Sequence, residues 1–184
     1  MRTITIHEPW ATLVSIEAKR FETRSWKPDT VGYPIAIHAG KNRESLVRAL
    51  LRDPFRSVLN QHGICRDSDF KLGCVVAVAW LSSCRPTEIV RAVISDQERA
   101  FGDYSDGRFA WELTHILRFK APVPARGMQK IWALTYLKQN YQFCIDLPKA
   151  SRFFDTASAS KSLAVLAFSD KPLLSQAASL FISM

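Results

Sequence analysis

The sequence predicts an α+β fold, namely a small mixed β-barrel with packed helices and a C-terminal extension. Three observations predict it. About five segments carry strand patterns, few helical segments lie between them, and the two kinds do not alternate regularly as in doubly wound α/β proteins. The composition changes after Pro148, where Ser, Ala and Leu dominate. We therefore place one domain at residues 1–145 and an extension of unassigned role at residues 146–184.

The first part of the chain predicts the order strand, helix, strand, strand. Residues 2–6, RTITI, alternate with period two and are rich in β-branched side chains, as in a strand. Pro9 suits the first turn of a helix. The apolar residues that follow it have helical spacing and place a short amphipathic helix that ends near Lys19. Residues 22–26, ETRSW, alternate again, and residues 33–39, YPIAIHA, predict the next strand.

The remaining elements are predicted from the spacing of apolar residues and from proline and helix-capping residues. Apolar residues at helical spacing predict a helix over residues 42–61, broken by an internal proline. Residues 73–81, GCVVAVAWL, are apolar on both faces, which is typical of a central strand. Ser95 and Glu98 have the spacing of a capping box at the start of a short helix. Residues 108–119, RFAWELTHILRF, predict a long strand.

Length and composition limit the class of protein. The chain has 184 residues, of which 47% are hydrophobic and 23% are charged, so a core can form and wholesale disorder is not expected. The longest uninterrupted apolar run, at residues 74–81, is eight residues long. A membrane-spanning helix needs about 20, so we expect no membrane span. The N-terminal segment lacks an apolar leader, and we expect a cytoplasmic protein.

Net charge and cysteine spacing limit the kinds of partner, metal and cofactor that we expect the chain to bind. The net charge is +8, with 10 basic and 6 acidic side chains in residues 1–60, 8 of each in residues 61–120, and 7 and 3 in residues 121–184. A basic balance is typical of proteins with polyanionic partners, although many basic proteins bind none. The four cysteines match neither a zinc spacing nor a dense disulfide framework. We therefore expect reduced thiols, no metal and no cofactor.

The candidate site lies at residues 19–26. On an extended segment Glu22, Arg24 and Trp26 point to one face, because side chains alternate along a strand. Lys19, at the end of the preceding helix, is near enough in sequence to reach the same place. The set offers a planar fork for phosphate, a stacking surface and a carboxylate that accepts from an amino group. The alternative is an exposed Glu22–Arg24 ion pair worth about 0–1 kcal/mol, with Lys19 at a helix end and Trp26 in the core.

Three further side chains are candidates for the same cleft. Trp10 flanks the first turn, His38 ends a predicted strand, and Arg108 belongs to a polar loop. Each also has a structural interpretation, which is helix packing for Trp10, a hydrogen-bonded core histidine for His38, and ordinary loop polarity for Arg108.

Three runs in order, EPWATLVSIEAKRFETRSW, GCVVAVAWL and GRFAWELTHILRFKAPVPARGMQKIW, are informative together. They resemble segments of the ASCH family, relatives of the PUA RNA-binding fold, whose hallmark is a G-x-K-x-x-E-x-R signature. Lys19, Glu22 and Arg24 match its charged positions, and Glu17 stands where the signature has glycine. The resemblance reaches from about residue 3 to 135. It implies a PUA-like mixed β-barrel with helices packed on it and a cleft beside the signature.

The resemblance also implies what the cleft does. It implies binding of RNA or a modified nucleoside in a cleft formed by the signature residues. Trp26, Trp10, His38 and Arg108 are the further candidates for lining this cleft. The alternative is a hydrolase, either an N4-acylcytidine amidohydrolase or a ribonuclease, with Lys19 and Glu22 catalytic. A third hypothesis is a protein-interaction module built on the extension.

The amidohydrolase-like members of the family use a lysine, a threonine and a later glutamate. Lys19 matches the lysine, Glu22 occupies the threonine position, and the later glutamate has no assigned counterpart. If Lys19 is partly buried beside Arg24, its pKa is lowered by desolvation and by like charge, and Glu22 works against this by favouring the ammonium.

Overall fold

The structure is a computed structural model, and residues 1–134 are described. Its strands are β1 (Arg2–Ile6), β2 (Phe21–Arg24), β3 (Tyr33–Ala39), β4 (Cys74–Pro86), β5 (Phe109–Pro124) and β6 (Ile131–Ala133). Its helices are α1 (Trp10–Ser15), α2 (Glu44–Leu50), α3 (Phe55–Gln61), α4 (Thr87–Val90) and α5 (Asp96–Ala100), with one 3-10 turn at Asp67–Asp69. The predicted boundary at residue 145, the extension and the interaction module built on it lie outside the described residues.

The six strands form one sheet in the order β2-β5-β4-β3-β1-β6, curled into a half-barrel. β1 and β3 are parallel, and the other neighbouring pairs are antiparallel. The long pair β4 and β5 carries three register shifts, and His115 in β5 has a positive φ of 49°. Such irregularities bend a strand and increase its twist, so this pair gives the sheet its curl. The predicted α+β fold with a small mixed, barrel-like sheet is confirmed.

Two apolar clusters hold helices against the sheet. One fills the inside of the curl and includes Ile4, Ile35 and Trp111. The other lies among the helices and includes Leu13 and Phe55. Because α1 contributes side chains to both clusters, it joins the sheet to α2 and α3. None of the helices within residues 1–134 has the length and apolar character that crossing a bilayer requires.

Several element bounds differ from the predictions. α1 ends at Ser15, not near Lys19, because Glu17 adopts a left-handed φ of 65° that a continuing helix does not tolerate. The helical region starts at Glu44 and is broken at Pro54 as predicted, giving α2 and α3. β5 continues to Pro124, well past the predicted end. The strand predicted over residues 33–39 has those bounds.

Candidate functional site

Lys19 enters the interior through the turn between α1 and β2. The backbone N–H groups of Ala18 and Lys19 both donate to the carbonyl of Leu13, at 2.9 and 3.1 Å. Together with the left-handed Glu17, these bonds close the end of α1 and redirect the chain. The signature has glycine at the position of Glu17, which fits a backbone conformation that glycine adopts without strain. As a result the Lys19 side chain points inward and is only 1% exposed.

The amine of Lys19 lies between carboxylates without a hydrogen bond. Its Nζ is 3.9 Å from Glu98 Oε1, and it has no hydrogen-bond partner among residues 1–134. Burial lowers the pKa of Lys19, whereas the charges of Glu22 and Glu98 raise it and that of Arg24 lowers it further. A buried polar group with no partner is rare in proteins, and a buried ionisable group with a shifted pKa is typical of a functional site.

Glu98 is the second buried charge of the site. Its Oε2 accepts from the N–H of Arg20 at 2.8 Å, and its Oε1 accepts from the N–H of Phe21 and the hydroxyl of Tyr104, both at 3.1 Å. Burial and the neighbouring Glu98 raise the pKa of Tyr104. Glu98 therefore fixes the start of β2 and faces Lys19 at the same time.

Sequence reasoning placed Glu98 in a capping box and did not connect it with the site. One half of that box forms, because the Ser95 hydroxyl accepts from the N–H of Glu98 at 3.1 Å. The Glu98 carboxylate turns instead to β2 and Lys19. The capping spacing was the signal that singled out this residue, but it carried no information about a partner so far along the chain.

Glu22 and Arg24 share one face of β2, as predicted. Arg24 Nε lies 2.8 Å from Glu22 Oε1, although its N–H is not aligned for a hydrogen bond, and Arg24 Nη2 donates to the carbonyl of Thr5 at 2.7 Å. The Glu22 and Arg24 side chains are 10% and 26% exposed. The pair is thus largely enclosed on the inner side of the curl. Lys19, Glu22 and Arg24, with Glu98, form what we call the Lys19 cluster.

The two candidate tryptophans have packing contacts. The ring of Trp26 lies edge-on to that of Trp111 with centroids 4.6 Å apart, and its carbonyl accepts from Trp111 Nε1 at 3.2 Å. The ring of Trp10 lies edge-on to Phe55 with centroids 5.6 Å apart. Both side chains are partly buried against the core clusters. These contacts agree with core packing for Trp26 and helix packing for Trp10, which are the structural alternatives to a role in the cleft.

The hydrogen bonds of His38 and Arg108 go to residues that do not belong to the Lys19 cluster. His38 is buried, its Nε2 lies 3.1 Å from the carbonyl oxygen of Ala125, and burial lowers its pKa. Arg108 donates from Nε to the carbonyl of Asp103 at 3.1 Å and from Nη2 to that of Thr23 at 3.3 Å. The arginine therefore ties its own loop to β2.

A pocket of about 250 Å³ opens beside the Lys19 cluster. It is lined by Arg20, Phe21, Arg85, Val93, Ile94, Ser95, Glu98 and Glu112. Phe21 and Glu22 are neighbours on a strand and point to opposite faces, so Glu22 and Arg24 lie across β2 from this pocket and do not line it. Of the Lys19 cluster, Glu98 is the member in the pocket wall. Lys19 is connected with the pocket through this carboxylate.

Metal-ligating side chains are not gathered in the described part of the chain. Residues 1–134 contain no group of three or more His, Cys, Asp or Glu side chains that could hold a metal ion. Cys65, Cys74 and Cys84 are free thiols. Burial raises the pKa of the Cys74 and Cys84 thiols, which disfavours the reactive thiolate form.

No family model and no curated protein matches this chain. Among solved structures, the ASCH protein of Zymomonas mobilis matches 82% of this chain and 93% of its own, at 13% identity and a TM-score of 0.41. Two single-residue mutants of that protein match 75% of this chain, and 90% and 88% of their own, at 14% identity and TM-scores of 0.42 and 0.43. The structures found carry the name of the family that the signature resembles. Their likeness concerns the fold and extends to no side chain of the site.

Proposed function

We propose that this chain is an ASCH-type domain that binds RNA or a modified nucleoside at the Lys19 cluster. The observation that carries the proposal is the buried Lys19 amine, which has no hydrogen bond within residues 1–134 although a carboxylate lies 3.9 Å away. Leaving a buried polar group unpartnered costs about 1–3 kcal/mol. Buried polar groups without a partner are rare, and a catalytic or ligand-binding role is one explanation for them.

The pocket supplies an approach for a base. Glu98 in its wall is an acceptor for an exocyclic amino group, such as that of cytosine. The Arg20 guanidinium lies over the Phe21 ring, 5.5 Å from its centroid, and presents a flat cation on which a base can stack. The hydrogen bonds that Glu98 accepts from β2 hold its carboxylate in place before a ligand arrives.

Exposed basic side chains at one end of the sheet favour RNA over a free nucleoside. Lys41 follows β3 and Lys71 precedes β4. Both lie near Cys74 at the start of β4, because burial raises the pKa of its thiol and the charges of these two lysines lower it. The end of β5 pairs with the start of β4, so Arg126 and Lys130, in the segment after β5, belong to the same end. All four basic side chains are exposed. Such a group of cations suits a phosphate backbone.

Binding of a labelled single-stranded RNA, measured by fluorescence anisotropy, tests the proposal. We expect affinity to fall with salt at a log-log slope of roughly 0.7 per phosphate contacted. Lys19→Met, which keeps the length of the side chain, is expected to weaken binding by about tenfold or more, as loss of one charge-assisted contact does. Lys27→Met removes an exposed lysine near the end of β2 and is the matched control. Absence of RNA and nucleoside binding, or equal binding by both variants, would contradict the proposal.

A hydrolase is the second candidate, and the lowered pKa of Lys19 favours it. A lysine that loses its proton can act as a general base. In this scheme Lys19 takes a proton from a water that attacks the acyl carbon of an N4-acylcytidine. The amide C–N bond breaks and the proton passes to the departing amine, which gives cytidine and a carboxylic acid.

Incubation with N4-acetylcytidine and with a labelled RNA strand separates this candidate from binding alone. We expect product from the wild-type chain, at a rate that rises with pH as Lys19 loses its proton, and none from Lys19→Met. Product formed equally by both would remove Lys19 from the mechanism.

A further inference from the structure

One arginine in the pocket wall has a buried donor without an acceptor among the described residues. Arg85, on β4, has no ion pair within residues 1–134, and its Nε is buried without a hydrogen-bond partner. A guanidinium N–H removed from water without an acceptor costs free energy. The side chain lines a cavity, so the place where its missing acceptor can enter is already open.

The other charges of the pocket are matched to one another. Glu112 accepts from the Arg20 guanidinium and, at 2.8 Å, from the Ser83 hydroxyl. Glu98 faces the Lys19 amine at 3.9 Å and accepts three hydrogen bonds. Both carboxylates, which alone would repel an anion, are therefore offset by cations. Burial acts to raise the pKa of Glu112, whereas the Ser83 hydroxyl and the charges of Arg20 and Arg85 lower it, so Glu112 is shared between two arginines. The Arg85 Nε still has no acceptor within residues 1–134.

The remaining walls suit an apolar or flat body. Phe21, Val93 and Ile94 line the same pocket. Ser95 uses its oxygen to accept from the N–H of Glu98, which leaves its hydroxyl proton to donate. The volume of about 250 Å³ lies below the range of drug-sized pockets, roughly 300–1,000 Å³. The ligand is accordingly small.

We propose that this pocket binds a small organic anion whose oxyanion group, a phosphate or a carboxylate, lies against the Arg85 guanidinium while its flat or apolar part lies on Phe21, Val93 and Ile94. A guanidinium matches both oxyanions with two parallel N–H donors, and partial burial strengthens the pairing relative to water. The inference rests on the cavity and on the Arg85 donor that has no partner within residues 1–134. Under the proposed function the oxyanion belongs to a nucleotide, and otherwise it belongs to free phosphate or to a carboxylic acid.

Four probes distinguish these sources: cytidine 5′-monophosphate, cytidine, inorganic phosphate and benzoate. Their affinities for the full chain are measured by calorimetry for the wild type, Arg85→Gln and Arg52→Gln. Arg52 is exposed and lies outside the pocket, so its variant has the same change of charge without touching the pocket. We expect an organic anion to bind, Arg85→Gln to weaken it by about tenfold or more, and Arg52→Gln to change it less than twofold.

Each outcome is informative. Tighter binding of the monophosphate than of cytidine, lost in Arg85→Gln, supports the inference together with the proposed function. Binding of benzoate or phosphate through Arg85, without any nucleotide, supports the anion site and counts against the proposed function. Equal binding of cytidine and its monophosphate, unchanged in Arg85→Gln, overturns the anion site and leaves the proposed function standing. If no anionic probe binds the wild type, the inference is wrong.

A second variant covers the case in which Arg85→Gln does not fold. Val93 is 74% exposed at the pocket, so Val93→Glu adds a carboxylate there without disturbing the core. The new carboxylate competes for Arg85 and repels an incoming anion. We expect the same loss of affinity with unchanged thermal melting, and unchanged affinity would refute the assignment.

Discussion

Replacing Glu98 by alanine is expected to destabilise the fold strongly. The substitution removes the acceptor of three hydrogen bonds, two of which, from the Phe21 N–H and the Tyr104 hydroxyl, are buried. It also removes the carboxylate nearest the Lys19 amine. The donors left behind cannot all reach water, because Phe21 and Tyr104 are buried.

The magnitude follows from the buried contacts. A hydrogen bond to a charged acceptor contributes about 1.5–3 kcal/mol, and the two buried bonds of Glu98 dominate because the Arg20 N–H is only partly buried and can be rehydrated. Two such bonds give about 3–6 kcal/mol, a range that includes the usual cost of breaking a buried ion pair by removing one partner, about 3–5 kcal/mol. We expect the free energy of unfolding to fall by about that amount.

Urea denaturation of the full chain, followed by circular dichroism, measures this loss. Glu98→Gln keeps one acceptor oxygen and is expected to lose less than Glu98→Ala. The matched control is Glu44→Ala, which removes an exposed carboxylate paired with Arg48 on α2. A loss for Glu98→Ala no larger than that of Glu44→Ala would refute the reasoning that Glu98 holds β2.

Three more predictions concern single residues. The pKa of Lys19 is lowered from 10.5 by burial, so just below that pH the unfolded chain binds more protons than the folded chain. In urea unfolding, the stability of the wild type relative to Lys19→Met should therefore rise as the pH is raised from about 7 to about 9.5. Parallel curves would show that the pKa is not lowered. Burial raises the pKa of Glu8 from 4.5 to about 7, although two hydrogen bonds from Thr12 act to lower it. Between these pH values the folded state binds more protons than the unfolded state, so the stability of the wild type relative to Glu8→Gln should fall as the pH rises. A constant difference in melting temperature across the window would contradict this. Glu17→Gly relieves a left-handed φ of 65° and should stabilise the chain by up to ~1 kcal/mol in thermal denaturation, whereas a loss would mean that contacts of the Glu17 side chain outweigh the strain.

Features set by local pattern could be predicted from the sequence. The bounds of β3 follow from the seven-residue run YPIAIHA, which has a glycine on either side. The break between α2 and α3 follows from Pro54, whose ring cannot continue a helix. Glu22 and Arg24 share a face because the period of a strand is two.

Features that depend on residues far apart in the sequence could not be predicted from it. The burial of Lys19 depends on a left-handed turn at Glu17, a residue type that gives no signal for this conformation. The meeting of Lys19 with Glu98 depends on where the tertiary fold places α5, and no local spacing encodes it. The register shifts between β4 and β5 likewise depend on how the two strands pair, which the alternation along one strand does not encode. The pocket, built from residues of several elements, was out of reach for the same reason.

Arg24 has a double duty that follows from the open sheet. Within residues 1–134 no backbone pairing joins β2 to β1, which are separated in the sheet by β5, β4 and β3, and the Arg24 guanidinium bridges them by its bond to the Thr5 carbonyl. The same group is the counterion of Glu22. An anion that draws Arg24 away from Glu22 therefore also weakens the link between β2 and β1. Binding of an anion to Arg24 and separation of these two strands are thus thermodynamically linked.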